Sequence, residues 1–170
     1  MGSTLTVDNI VGATTAANVK LPAGSILQTQ TYTKNVGAHF QTTSTSYVTN
    51  SDMPSVIITP KFQNSKFFIQ AMIGMQHDTS SGQVENTIFR TVGGVDAELS
   101  NGNTYGLSFT GVAGATGVTC WEHVAITWVD VPNTTNAITY KWYSRSESGA
   151  NIYPLHGGCS VSMVVQEISV

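Results

Sequence analysis

Charge is what this chain has least of. Lys, Arg, Asp and Glu make up 10% of the residues, against roughly 25% in an average soluble protein. Seven basic and ten acidic side chains leave a formal net charge of −3. No basic cluster stands out, so nucleic acid has no electrostatic footprint here. Cysteine is nearly as scarce. Cys120 and Cys159 are the only two, too few for a disulfide framework. A bridge between them would need an oxidising compartment and compatible geometry, and their pairing stays open. No apolar run approaches the ~20 residues of a membrane span, and the first residues are too polar for a signal peptide. Nor does a 3.6-residue period persist for three turns, which argues against helices.

Ser, Thr, Asn, Gln and Gly take the place of the missing charge. Hydrophobic residues still make up 41% of the 170-residue chain, and they recur periodically, so low charge does not mean disorder. A chain of this length forms one domain burying roughly 70% of its unfolded surface. A polar, weakly charged exterior suits a long-lived extracellular or particle-bound β protein.

The clearest patterning runs from Val118 to Tyr143. Val124, Ile126 and Trp128 alternate with His123, Ala125 and Thr127; after Val131–Asn136, Ile138, Tyr140 and Trp142 alternate with Thr139, Lys141 and Tyr143. Two antiparallel strands joined by a loop are expected, with other strands covering the face of Trp128 and Trp142. The strongest single strand places Phe67, Ile69, Ala71, Ile73 and Met75 on one face. Further strands are expected near 26–32, 40–48, 56–58, 87–92, 104–112, 152–155 and 161–170. The last is apolar on both faces, which marks it as central or interfacial. Eight to ten strands with regular turns predict an all-β fold, a β-sandwich or jelly roll.

Residues 1–24 read differently. Leu5, Val7, Ile10, Val11, Val19 and Leu21 are scattered among Gly, Ala, Thr and Asn, a pattern that cannot close its own core. An extended anchoring arm is expected, divided from a 25–170 head at Pro22-Ala23-Gly24.

Chemistry is hard to find. Cys120-x-x-His123 and His156-x-x-Cys159 offer four soft ligands. Residues three apart on a strand face opposite sides, however, so convergence on zinc would need a bulge, and no metal or other cofactor is expected. Asp96 and Glu98 share a face if extended, with Glu122, Asp130 and Glu147 as further acids. Solvated surface acids are the better reading than a glycosidase pair. No G-x-S-x-G elbow appears, and the glycine loop 111–117 lacks the Lys of a P-loop. Asn133-Thr134-Thr135 is formally a glycosylation sequon, but these are ordinary turn residues after Pro132.

One resemblance extends along nearly the whole chain. The segment from Thr4 to Gly24, TLTVDNIVGATTAANVKLPAG, resembles the opening of short structural proteins of tailed phages, especially marine and cyanobacterial ones. Similar pieces follow: Tyr47-Val48, Ile58-Thr59-Pro60, Ser65-Lys66, Asp130 to Thr135, Thr139-Tyr140-Lys141 and the closing Gln166-Glu167-Ile168. The resemblance implies a non-enzymatic virion surface protein, assembled in the bacterial cytoplasm, a homotrimer with a β-sandwich head. It carries no catalytic residues across. Implied partners are other virion proteins (a tail adaptor or the capsid shell) and a host-surface glycan or protein. Neither nucleic acid nor membrane insertion is expected. Longer fibre proteins have a shaft repeat or coiled coil that this chain lacks. Within the class, a tail fibre or receptor-binding component comes first, a capsid decoration (cement) protein second and a carbohydrate-active spike third. Loops 78–82, 111–117 and 146–151 are the expected contact surfaces. The last strand, with Val161, Met163 and Val165 among its apolar residues, is the expected subunit seam.

Overall fold

The structure is a computed structural model and describes residues 21–77, 83–111 and 120–170. Within them every regular element is a strand: β1 Ile26–Asn35, β2 Phe40–Thr42, β3 Ser55–Ile58, β4 Lys66–His77, β5 Gln83–Val92, β6 Val95–Glu98, β7 Ser108–Gly111, β8 Cys120–Asp130, β9 Ile138–Ser146, β10 Ile152–Leu155 and β11 Ser160–Ile168.

Two antiparallel sheets result. The first runs β1-β11-β4-β8, with β10 and β2 carried beside the far end of β4. The second runs β3-β9-β5, and both β6 and β7 lie along the remaining side of β5. β6 and β7 therefore act as one strand interrupted by an excursion, with Leu99 and Leu107 bonding the β5 carbonyls of Ile88 and Asn86 on either side of it. Counting that pair as one and leaving aside the short β2 and β10, the strands in chain order are arranged 1-8-3-6 and 2-7-4-5. This is the double Greek key of a jelly roll. The fold class expected from the sequence is present.

One expected pairing is not. β8 and β9 are not hairpin partners: β8 lies along β4 in the first sheet and β9 between β3 and β5 in the second. Period two tells which residues share a face, not which strand lies alongside. The 131–137 connection crosses between sheets, with Asn133 at φ 54°. That left-handed conformation, which Asn tolerates better than most residues, supports the turn reading of the sequon.

The core lies between the sheets. Phe67, Ile69, Ile73 and Met75 of β4 meet Tyr140 and Trp142 of β9 and Val84 and Ile88 of β5, all essentially inaccessible. Each such side chain contributes about 1.5–3 kcal/mol. Two buried polar groups are held by hydrogen bonds. The Trp142 indole donates to Asn86 Oδ1 at 3.2 Å and Ser144 Oγ at 3.1 Å. Glu167, fully buried, accepts from Ser65 Oγ at 2.6 Å and the backbone N–H of Lys61 at 2.7 Å, holding the turn before β4.

The seam expected on β11 is corrected here. Val161, Met163 and Val165 are 0% exposed within a single chain. They point between the sheets because the strand's other set, Ser162, Val164 and Gln166, faces outward. β11 is central, between β1 and β4.

Candidate functional site

The sandwich has two ends of different character. β4 finishes and β5 begins beside β7's finish and β8's start, with Gln83 paired to Gly111 and His77 to Cys120. β9 also finishes there, where Glu147 N–H bonds the Gln83 carbonyl. The three loops singled out from the sequence are therefore flanked by strand ends gathered at one end of the molecule. Residues 78–82 and 112–119 themselves lie outside the described residues. At the opposite end β1 begins beside the finish of β11. Gly24 N–H bonds Ser169 O at 2.9 Å, and Ser169 N–H bonds Ser25 O. Leu21 lines a shallow cavity there of about 130 Å³ with Phe62, Asn64, Ser169 and Val170. Of the arm residues, Leu5, Val7, Ile10, Val11 and Val19 lie outside the described residues. Leu21 is 45% exposed at this base.

The outer faces of the two sheets also differ. On the first sheet, register aligns Val129, Phe68, Gln166 and Thr29 in one row, Thr127, Gln70, Val164 and Thr31 in the next, and Ala125, Met72, Ser162 and Thr33 in a third. None of these side chains is charged. Lys66 bounds the rows toward the base, and His123 toward the loop end.

Beyond them is an imidazole-rich cluster. The His39 ring stands edge-on to His156 with centroids 4.5 Å apart, and the Trp121 ring is 6.1 Å from His156. Cys159 Sγ lies 3.7 Å from His156 Nδ1. Gly74 lies beneath, where added bulk would crowd its neighbours: a Cβ on it would come within 2.6 Å of Cys159 Sγ and 3.6 Å of His123. Cys159 is a free thiol. The structure thus brings His123, His156 and Cys159 to one corner. The β4–β8 ladder runs in unbroken register from Cys120 to Asp130, without the bulge that convergence of Cys120 and His123 would need. Among the described residues no three His, Cys, Asp or Glu side chains are arranged to hold a metal.

The outer face of the second sheet is charged and aromatic. Arg145 Nε donates to Glu85 Oε2 at 2.6 Å, and its NH2 donates to Thr104 O at 2.9 Å. Its guanidinium stacks 4.6 Å above the Tyr47 ring. Burial works against the Arg145 charge, but the Glu85 bond and the surrounding acids raise its pKa on balance. Burial, opposed by Arg145, pushes the Tyr47 phenol up to about 12. Phe89 packs 4.4 Å from Tyr143, and Glu98 and Lys141 flank Phe89 across the strands. Glu85 was not legible as a site residue, since a single Glu in an otherwise polar strand start carries no motif.

The acids proposed from sequence are dispersed. Asp96 accepts from Thr91 Oγ1 at 2.6 Å, and Glu98 accepts from Ser100 Oγ. Asp130 is 7% exposed, and Glu147 is exposed. Glu122 sits on β8, opposite Met75. Asp96 and Glu98 do share a sheet face, as their spacing implied, across from Thr91 and Phe89.

No protein-family model and no curated protein matches the chain. Among solved structures, the chain is similar to the infectious bursal disease virus VP2 subviral particle at 16% identity and a TM-score of 0.32, covering 86% of this chain and 38% of that one. The Gx strain of the same virus gives 15% identity, a TM-score of 0.31 and coverage of 84% and 38%. The chain spans well under half the length of either. Overlaps this loose carry no functional argument, and the jelly-roll assignment rests on the strand order described above.

Proposed function

We propose that this protein is a non-enzymatic structural component of a bacteriophage virion surface, built as a homotrimer. In this reading a tail fibre or receptor-binding part is the first choice. The observation that carries the proposal is the molecule's polarity. Residues 1–20 join the sandwich at Leu21, at one end, while the loop-bearing strand ends gather at the other. An anchor at the base and contact loops at the tip fit an element that stands out from a particle. The resemblance of residues 4–24 to phage virion proteins supplies the identity of that particle.

The reading as a structural protein is supported by how the acids are used. Asp96, Glu98 and Asp130 each accept a hydrogen bond from a neighbouring side chain, and Asp130 is spent on contacts between the sheets. A capsid decoration protein gripping the shell through the same arm is the alternative, and fold alone does not separate it from a fibre.

Light scattering on the full chain tests the proposal. A mass three times 18.1 kDa is expected, and a single-chain mass at micromolar concentration would overturn the trimer. Deleting residues 1–20 should leave the melting transition of the sandwich in place and abolish incorporation into particles. Particles that still carried the truncated chain would place the anchor elsewhere.

A further inference from the structure

The three uncharged rows on the outer face of the first sheet call for an occupant. An antiparallel sheet with one solvated face sets polar side chains there, and charges among them guard its edges against association. The second sheet includes such charges, with Arg145, Lys141, Glu98 and Asp96 on its outer face. The first does not, although Met72 is 39% exposed and Val129 51%. In their place stand Thr, Gln, Ser and small or medium apolar side chains, which hydrogen-bond or pack against their own kind.

A face of that composition suits packing around a rotation axis. Residues close to such an axis meet their own copies. A charge there would face its own sign, whereas Thr and Gln carry both donor and acceptor. A partner of different sequence would impose no such rule and could pair charges across the contact. The extent is suitable as well. Four strands ~4.8 Å apart and about eight residues of ~3.4 Å rise give a flat patch of roughly 500 Å². That is most of the ~800 Å² per partner in a standard interface. Exposed Trp121 and Val131, at 68% and 54%, extend it at the β8 edge.

We infer that the outer face of the β1-β11-β4-β8 sheet is turned toward the symmetry axis and packs on neighbouring copies of this chain. The inference rests on the homo-oligomeric reading above and identifies its contact surface. The base and the loop end stay free, as an anchor and a contact tip require.

The test is a set of charge insertions in the full chain, each checked for folding by circular dichroism and thermal melting. Gln70→Glu is nearly isosteric at the centre of the face. Thr31→Glu sits on the exposed edge strand β1 and carries the test should Gln70→Glu fail to fold. Thr139→Glu, on the outer face of the second sheet, is the control. By light scattering, wild type and Thr139→Glu should have the same multimeric mass, and Gln70→Glu and Thr31→Glu should fall to 18.1 kDa. Mixing Gln70→Glu with Gln70→Lys chains should restore the larger mass. If both face variants stay multimeric, the contact lies elsewhere and this inference fails while the oligomer stands. If the wild-type chain is itself a monomer, both fail.

Discussion

Asp130 on β8 accepts the phenolic proton of Tyr140 on β9 at 2.7 Å. Its other oxygen binds Arg90 of β5, also at 2.7 Å. One carboxylate from the first sheet thus fastens two strands of the second, and an acid that sequence placed among surface groups is a clamp between layers. Removing it would leave a guanidinium and a phenol without their partner in a largely dry site. Asp130→Ala should therefore cost about 3 kcal/mol or more, and Asp130→Asn, which keeps an acceptor for Tyr140, about 1–2 kcal/mol. Urea denaturation of the two variants checks the order; equal losses below ~1 kcal/mol would show that the clamp is not structural.

The tyrosines predict the behaviour at high pH. Burial holds the pKa of Tyr140 above the ordinary phenol value, helped by the Asp130 carboxylate, and burial followed by Asp96 raises Tyr143. Tyr47 is raised to about 12, mainly by burial. A raised pKa in the folded state means that the unfolded chain releases the proton first, near pH ~10. The associated stability is fully present below that pH and is lost as pH climbs from about 10 toward 12. Denaturation midpoints at about pH 8, 10 and 11 should fall across the last interval, and Tyr47→Phe should lessen the fall. A flat profile would contradict the assignment.

Gly74 and Cys159 test the packing of the loop end. A Cβ at Gly74 would stand 2.7 Å from Cys159 Cβ as well as 2.6 Å from its sulfur. Gly74→Ala should destabilise the fold by about 1–3 kcal/mol through overpacking. Cys159→Gly removes both offending atoms, so the double variant should recover part of the loss, with a coupling above ~0.5 kcal/mol in a mutant cycle. Additive effects would mean that the corner relaxes without cost.

Much of this fold was legible in the residues. β4 declared its inward face because Phe67, Ile69, Ala71, Ile73 and Met75 alternate without a break, and those positions are buried. The all-β class followed from many such runs. Partnership did not follow, because alternation is blind to which strand lies alongside; hence β8 and β9 looked like a hairpin. β11 is apolar on both faces, so its pattern could not say which set turns inward. The set named as a seam proved to be core. β6 was missed because Val95–Glu98 is short and half polar, although Gly93 and Gly94 just before it both have the positive φ of a tight turn. The uncharged face is invisible to a linear reading, since its rows draw one residue from each of four distant strands.

Localisation on the particle tests the central claim most directly. Purified virions, labelled with an antibody against residues 25–170 and imaged by electron microscopy, should carry the protein on the outside, with label concentrated on the tail. Label spread over the head would favour the decoration alternative within the same account. Virions that lack the protein altogether, while infected cells contain it free, would contradict the claim that it is a structural part of the virion surface.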